Sequence, residues 1–103
     1  MARSTQKISI PDTQLAEFCQ RNHIRMLSFF GSVLSDAFGP ESDVDILVEF
    51  ESGHTPGLSL IRMQDELSHI LGGRKVDLVT PKFLNKRIRD KVMAEAAVQY
   101  AQR

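Results

Sequence analysis

The chain has 103 residues, with 13 Lys plus Arg against 13 Asp plus Glu and a formal net charge of zero at pH 7. That length fits a single domain over residues 1–103, and an apolar share of 42% supports a real but modest core. The charge balance excludes a general nucleic-acid coat, the single cysteine excludes an intrachain disulfide or a multi-cysteine zinc site, and no run approaches the roughly 20 apolar residues of a membrane span.

Residues 1–10 are polar, with an Ile8/Ile10 alternation too weak to assign and no apolar segment of the kind that leads a secreted chain. The expected location is the cytoplasm. Pro11 and Asp12 open a helix: Pro suits the first turn and Asp can cap free backbone N–H groups. Leu15, Phe18 and Cys19 recur at helical spacing, and the helix should end near Asn22. Arg25 to Phe30 is short, largely apolar and bounded by Gly31, which reads as a buried strand. Ser32 to Phe38 reads as about two helical turns, stopped by Gly39-Pro40.

Ser42 to Phe50 has the β-branched density of a strand, and Ser52 to Gly57 the composition of a loop. From Leu58, the residues Leu60, Met63, Leu67, Ile70 and Leu71 mark an amphipathic helix closed by Gly72-Gly73. Val76-Asp77-Leu78-Val79 is a further strand, ended by Pro81. The remainder reads as helical in two pieces, with Ile88, Val92, Ala96 and Tyr100 on one stripe. The expected fold is α/β, a small mixed sheet of about three to four strands flanked by helices.

Three features carry chemistry. Asp43 and Asp45 lie two apart on a strand and so share a face, with Val44, Ile46 and Val48 opposite. Two carboxylates this close repel, and magnesium resolves the conflict because it takes hard oxygen ligands and substrate phosphates. On residue types alone, a half-wet strand face explains the pair as well. Gly31-Ser32, at a strand end and helix start, can cradle a phosphate with outward N–H groups and the Ser32 hydroxyl, though it also reads as an ordinary turn. Asp77 is a charge in an otherwise apolar strand, facing either a polar cleft or a salt bridge to a residue such as Arg74. Beside Asp43 and Asp45 it would complete a carboxylate triad able to hold two metal ions or to supply a base.

Phe30-Gly31-Ser32, ten intervening residues and then Asp43-Val44-Asp45 resembles the G-S-x(10)-D-x-D signature of the DNA polymerase β-like nucleotidyltransferases, most closely the small MNT proteins. The resemblance runs from about Ile24 to Tyr100. It implies that Gly31 and Ser32 bind the nucleotide triphosphate and that Asp43, Asp45 and Asp77 form a catalytic site ligating magnesium, two ions in number. It also implies an antitoxin of a HEPN/MNT toxin–antitoxin pair, moving AMP from ATP onto a tyrosine of the HEPN toxin. One departure is that relatives often place a cation shortly after the Gly-Ser, where this chain reads Leu34-Ser35-Asp36; Arg74, Lys75 or a partner residue could compensate.

Larger nucleotidyltransferases resembling this core carry extra domains to hold the acceptor, so a domain this small points to an acceptor that is itself a bound protein. Two other readings stand beside that one. A catalytically silent module could neutralise its partner by covering it, or a dimer could modify a small molecule held between subunits. His23 and His69 read as surface residues at helix ends, and His54 as a loop residue near the cleft; none shows ligand spacing in sequence. Lys82, Lys86, Arg87, Arg89 and Lys91 read as a solvated helix face, a docking surface for an acidic partner or a counter-charge for ATP. Met63 and Met93 fit core positions, and Tyr100 reads as packing.

Overall fold

The computed structural model describes residues 2–5, 8–34, 39, 42–54 and 57–102, with the backbone path alone for residues 2–5, 8, 9, 32 and 83. An N-terminal hairpin of β1 (Ala2–Thr5) and β2 (Ile8–Pro11) leads into α1 (Asp12–Arg21). There follow β3 (Ile24–Phe30), a 3-10 turn (Gly31–Leu34), β4 (Val44–Phe50), α2 (Ser59–Ile70) and β5 (Val76–Val79). A second 3-10 turn (Pro81–Phe83), α3 (Lys86–Glu95) and β6 (Ala97–Ala101) complete the chain.

The main sheet has the order β5-β4-β3-β6. β3 pairs antiparallel with both β4 and β6, while β4 and β5 run parallel. Parallel neighbours need a crossover, and α2 supplies it. Leu15, Phe18 and Cys19 of α1 and Met63, Leu67 and Leu71 from the α2 region are buried against Leu27, Phe29, Val44, Ile46, Val48, Val76 and Leu78. These strand residues alternate, so one face of the sheet is core and the other stays available at its end. At the start of α1, Pro11 takes the cap position and makes no side-chain bond, while Asp12 sits in the first turn, where it complements the helix dipole. α2 ends as its glycines require: Gly72 and Gly73 take φ of +80° and +89°, and the Gly73 N–H donates to the Ser68 carbonyl at 2.8 Å.

The C-terminal stripe is a correction. Helix α3 stops at Glu95, Ala96 is extended (φ −63°, ψ 139°), and residues 97–101 form a strand. Ile88 is 49% exposed and α3 has no buried residue, so the helical part of the stripe does not reach the core. Pairing with the open edge of β3 outweighs the local helical pattern, because unpaired backbone groups there need partners. Tyr100 lies opposite Leu27 and packs half-buried against the core, as packing predicts, whereas Met93 is exposed.

Cys19 has no exposed surface, and burial pushes its thiol up from 9.0 to about 12. An unfolded thiol therefore ionises first as pH rises. The stabilisation is complete below the unfolded value and is lost between 9.0 and about 12, at about 1.4 kcal/mol per pH unit. Denaturant unfolding at a series of alkaline pH values should show this slope in the native chain and a shallower one in Cys19→Ala.

Candidate active site

One end of the sheet, where β3 finishes and β4 and β5 begin, gathers the residues singled out by their chemistry. Phe30 is the register partner of Asp45, and Asp45 is that of Asp77. Adjacent strands lie about 4.8 Å apart, and register partners point to the same face. The Gly31 turn, Asp45 and Asp77 therefore form a row across three strands. Their common face lies opposite the buried Val44, Ile46, Val76 and Leu78. Asp43 precedes β4, which begins at Val44 rather than at Ser42, and it is exposed. The next residue fixes its place: the Val44 N–H donates to the Lys75 carbonyl at 2.8 Å. Asp45 is half-buried and Asp77 exposed, so the charge in the apolar strand β5 sits on the open face.

Gly31 has φ of +76°, and a Cβ built there would collide with Asp45 Oδ2 and lie 3.2 Å from its Cγ. Glycine at this position lets the Asp45 carboxylate lie against the backbone of the turn. The spacing in sequence does not reveal this; it follows from the antiparallel register of β3 with β4. The turn itself is a single 3-10 turn over Gly31–Leu34. Residues 35–38, where two helical turns were expected to continue, lie outside the described residues, as do Ser35 and Asp36 of the missing-cation position and the Ser32 side chain.

Arg74 and Lys75, the cations expected to compensate, immediately precede β5 at this same end. Arg74 Nη1 donates to the Gly39 carbonyl at 3.3 Å, and the Ser68 hydroxyl donates to the Arg74 carbonyl at 2.5 Å. Arg74 thus braces the approach to β4, while the Lys75 side chain is exposed. In the second basic group, Arg89 donates from Nε to the Pro81 carbonyl at 2.9 Å and from Nη2 to the Leu84 carbonyl at 3.0 Å. It locks the turn before α3; Lys82, Lys86, Arg87 and Lys91 face solvent.

The donor set at this end is hard oxygen from carboxylates on neighbouring strands, the chemistry that magnesium takes in partnership with phosphate. In that respect the residues fit the cation. Their oxygens are not drawn together: among the described residues, the three-member group with ligand atoms within 4.8 Å of one another is His23, Glu51 and His54. The Asp43 and Asp77 side chains are exposed, and an exposed side chain changes rotamer at little cost. His54 is a second correction. It follows the far end of β4, about 20 Å from Asp45 at 3.3 Å per strand residue, and so does not border the acidic cleft.

A family model for a nucleotidyltransferase domain matches residues 12–98. A protein adenylyltransferase of Thermococcus cleftensis, MntA, is 36% identical over 88 residues, covering 84% of this chain and 86% of its own. A Methanocaldococcus jannaschii protein described as a candidate protein adenylyltransferase is 34% identical over 76 residues, covering 74% and 80%. Among solved structures, one described as a candidate minimal nucleotidyltransferase superposes with a TM-score of 0.67 at 36% identity, covering 82% of this chain and 85% of that one. A toxin–antitoxin crystal structure with AMP-PNP gives 0.72 at 17% identity, covering 91% and 76%, a likeness of fold alone.

Proposed function

The chain belongs to the nucleotidyltransferase domain family, and we propose that it transfers AMP from ATP to a tyrosine hydroxyl of a HEPN-type toxin, as the antitoxin of the pair. The observation that carries this reading is the row of Gly31, Asp45 and Asp77 across three strands, with Asp45 lying against the glycine. Asp43, Asp45 and Asp77 would hold magnesium, and three carboxylates suffice for two ions. When bound, that cation supplies charge neutralisation and Lewis-acid polarisation at the phosphoryl oxygens.

The chain's own residues supply position and a proton acceptor. Backbone N–H groups of the Gly31 turn donate to the phosphates, and Lys75 adds counter-charge at the same end. The phenolic oxygen attacks the α-phosphorus, forming an ester bond as the bond to the β-phosphate breaks, and pyrophosphate leaves. The phenolic proton passes to the Asp77 carboxylate and then to solvent. Two things support a protein acceptor. The related MntA of Thermococcus cleftensis is named for that activity. The surface also exposes apolar side chains that a partner would cover: α3 has no buried residue, Ile88 and Met93 are exposed, and Leu58 and Ile61 lie open at the start of α2.

Incubated with its partner toxin, ATP and magnesium, the chain should add mass to the partner in units of AMP. Label in the α-phosphate of ATP should transfer to the partner, and label in the γ-phosphate should not. A well-folded pair that gains no mass would overturn the transferase reading and favour neutralisation by covering alone.

A further inference from the structure

The end of the sheet remote from the carboxylates holds a second cluster. His23 closes α1 in the left-handed conformation, φ +58°, the role glycine usually takes after a helix. Its carbonyl accepts the Glu51 N–H at 2.8 Å, and the His54 N–H donates to the Glu51 carbonyl at 3.0 Å. Backbone hydrogen bonds thus tie the turn before β3 to the turn after β4. The His23 and His54 rings stack with centroids 3.9 Å apart and planes 12° from parallel. Glu51 Oε1 lies 3.8 Å from His23 Nδ1, while its Oε2 accepts a hydrogen bond from Gln102 Nε2 at 2.6 Å. That outer bond orients the carboxylate toward the imidazoles, the arrangement by which second-layer partners fix metal ligands.

We propose that His23, Glu51 and His54 bind a divalent transition-metal ion, with zinc the best match to the donors. Two imidazoles and one carboxylate form a recognised zinc set that leaves a fourth position for water, whereas magnesium prefers oxygen ligands throughout. The ligand atoms lie within 4.8 Å of one another. A tetrahedral zinc sphere needs about 3.3 Å between donors, given bonds of about 2.0–2.1 Å. Stacked rings point their lone pairs nearly side by side, so closing that gap requires the rings to turn. Both histidines are exposed, and no core packing opposes the rotation. The site lies about 20 Å along β4 from Asp45, a distance that makes it separate from the nucleotide chemistry.

Metal-stripped, tag-free full-length chain is titrated with Zn2+ by calorimetry and with Co2+ by visible absorption, where band intensity reports coordination number. The expected result is one ion per chain with a four-coordinate cobalt spectrum. His54→Gln should weaken Zn2+ at least about 100-fold, and Glu51→Gln should weaken it and change the cobalt spectrum. His23→Asn, chosen because Asn tolerates positive φ, should behave as His54→Gln does while keeping its circular dichroism. Asp43→Asn with Asp45→Asn should leave Zn2+ affinity unchanged, and saturating Zn2+ should raise the melting temperature of the native chain but not of the histidine variants. The proposal is overturned by an absence of saturable binding in the native chain. It is equally overturned if binding persists in His54→Gln, or is lost in the aspartate variant and kept in the histidine variants.

Discussion

Replacing Asp43 and Asp45 together by Asn is expected to lower AMP transfer at least ~10³-fold, about 4 kcal/mol of barrier, with little change in melting temperature. Asn keeps the shape and one neutral oxygen donor but removes two of the three negative charges at the acidic end. Stability should hold because Asp43 is exposed and Asp45 only half-buried, and because removing both neighbouring like charges relieves their repulsion. The measurement is single-turnover transfer of α-phosphate label to the partner, alongside thermal unfolding of both proteins. The same variant separates the two ways of silencing a toxin. If transfer is the means, the partner's activity returns when the aspartates are lost. A variant that still silences its partner without transferring label would make the carboxylates dispensable and leave covering as the mechanism.

Much of this site was legible in the chain because strand chemistry is local. Alternation from Val44 to Val48 placed Asp43 and Asp45 on one face before any pairing was known, and Asp77 stood out as a charge between Val76 and Leu78. What was not legible depends on register. Nothing near Gly31 in sequence indicates Asp45 as its neighbour, since only the pairing of Phe30 with Asp45 brings them together. The His23–Glu51–His54 cluster was missed for the same reason. Its members lie in two different turns, and the available signal was topological: antiparallel β3 and β4 must bring the turn before one beside the turn after the other. Strand β6 was lost to a different cause. Ile88, Val92, Ala96 and Tyr100 fit a helical period, yet the open edge of β3 recruits residues 97–101 as a strand.

Gly31→Ala tests whether the close approach of turn and carboxylate matters to chemistry or only to the backbone. Two costs are expected, and they differ in kind. An L-residue at φ +76° is strained by about 1–2 kcal/mol, a loss of stability that any such position would show. The added Cβ also displaces the Asp45 carboxylate, whose flexible end can rotate away, so the further loss of stability is small. Activity is where the second cost falls, because a ligand moved by about 1 Å can lower the rate about 100-fold, or about 2.7 kcal/mol. Gly72→Ala is the matched control: φ is +80° there, and a Cβ would meet nothing within 4 Å. Both variants should lose similar stability in denaturant unfolding, while only Gly31→Ala should lose the transfer rate. Equal rates in the two would reduce Gly31 to a turn residue and leave Asp45 to be positioned by its strand alone.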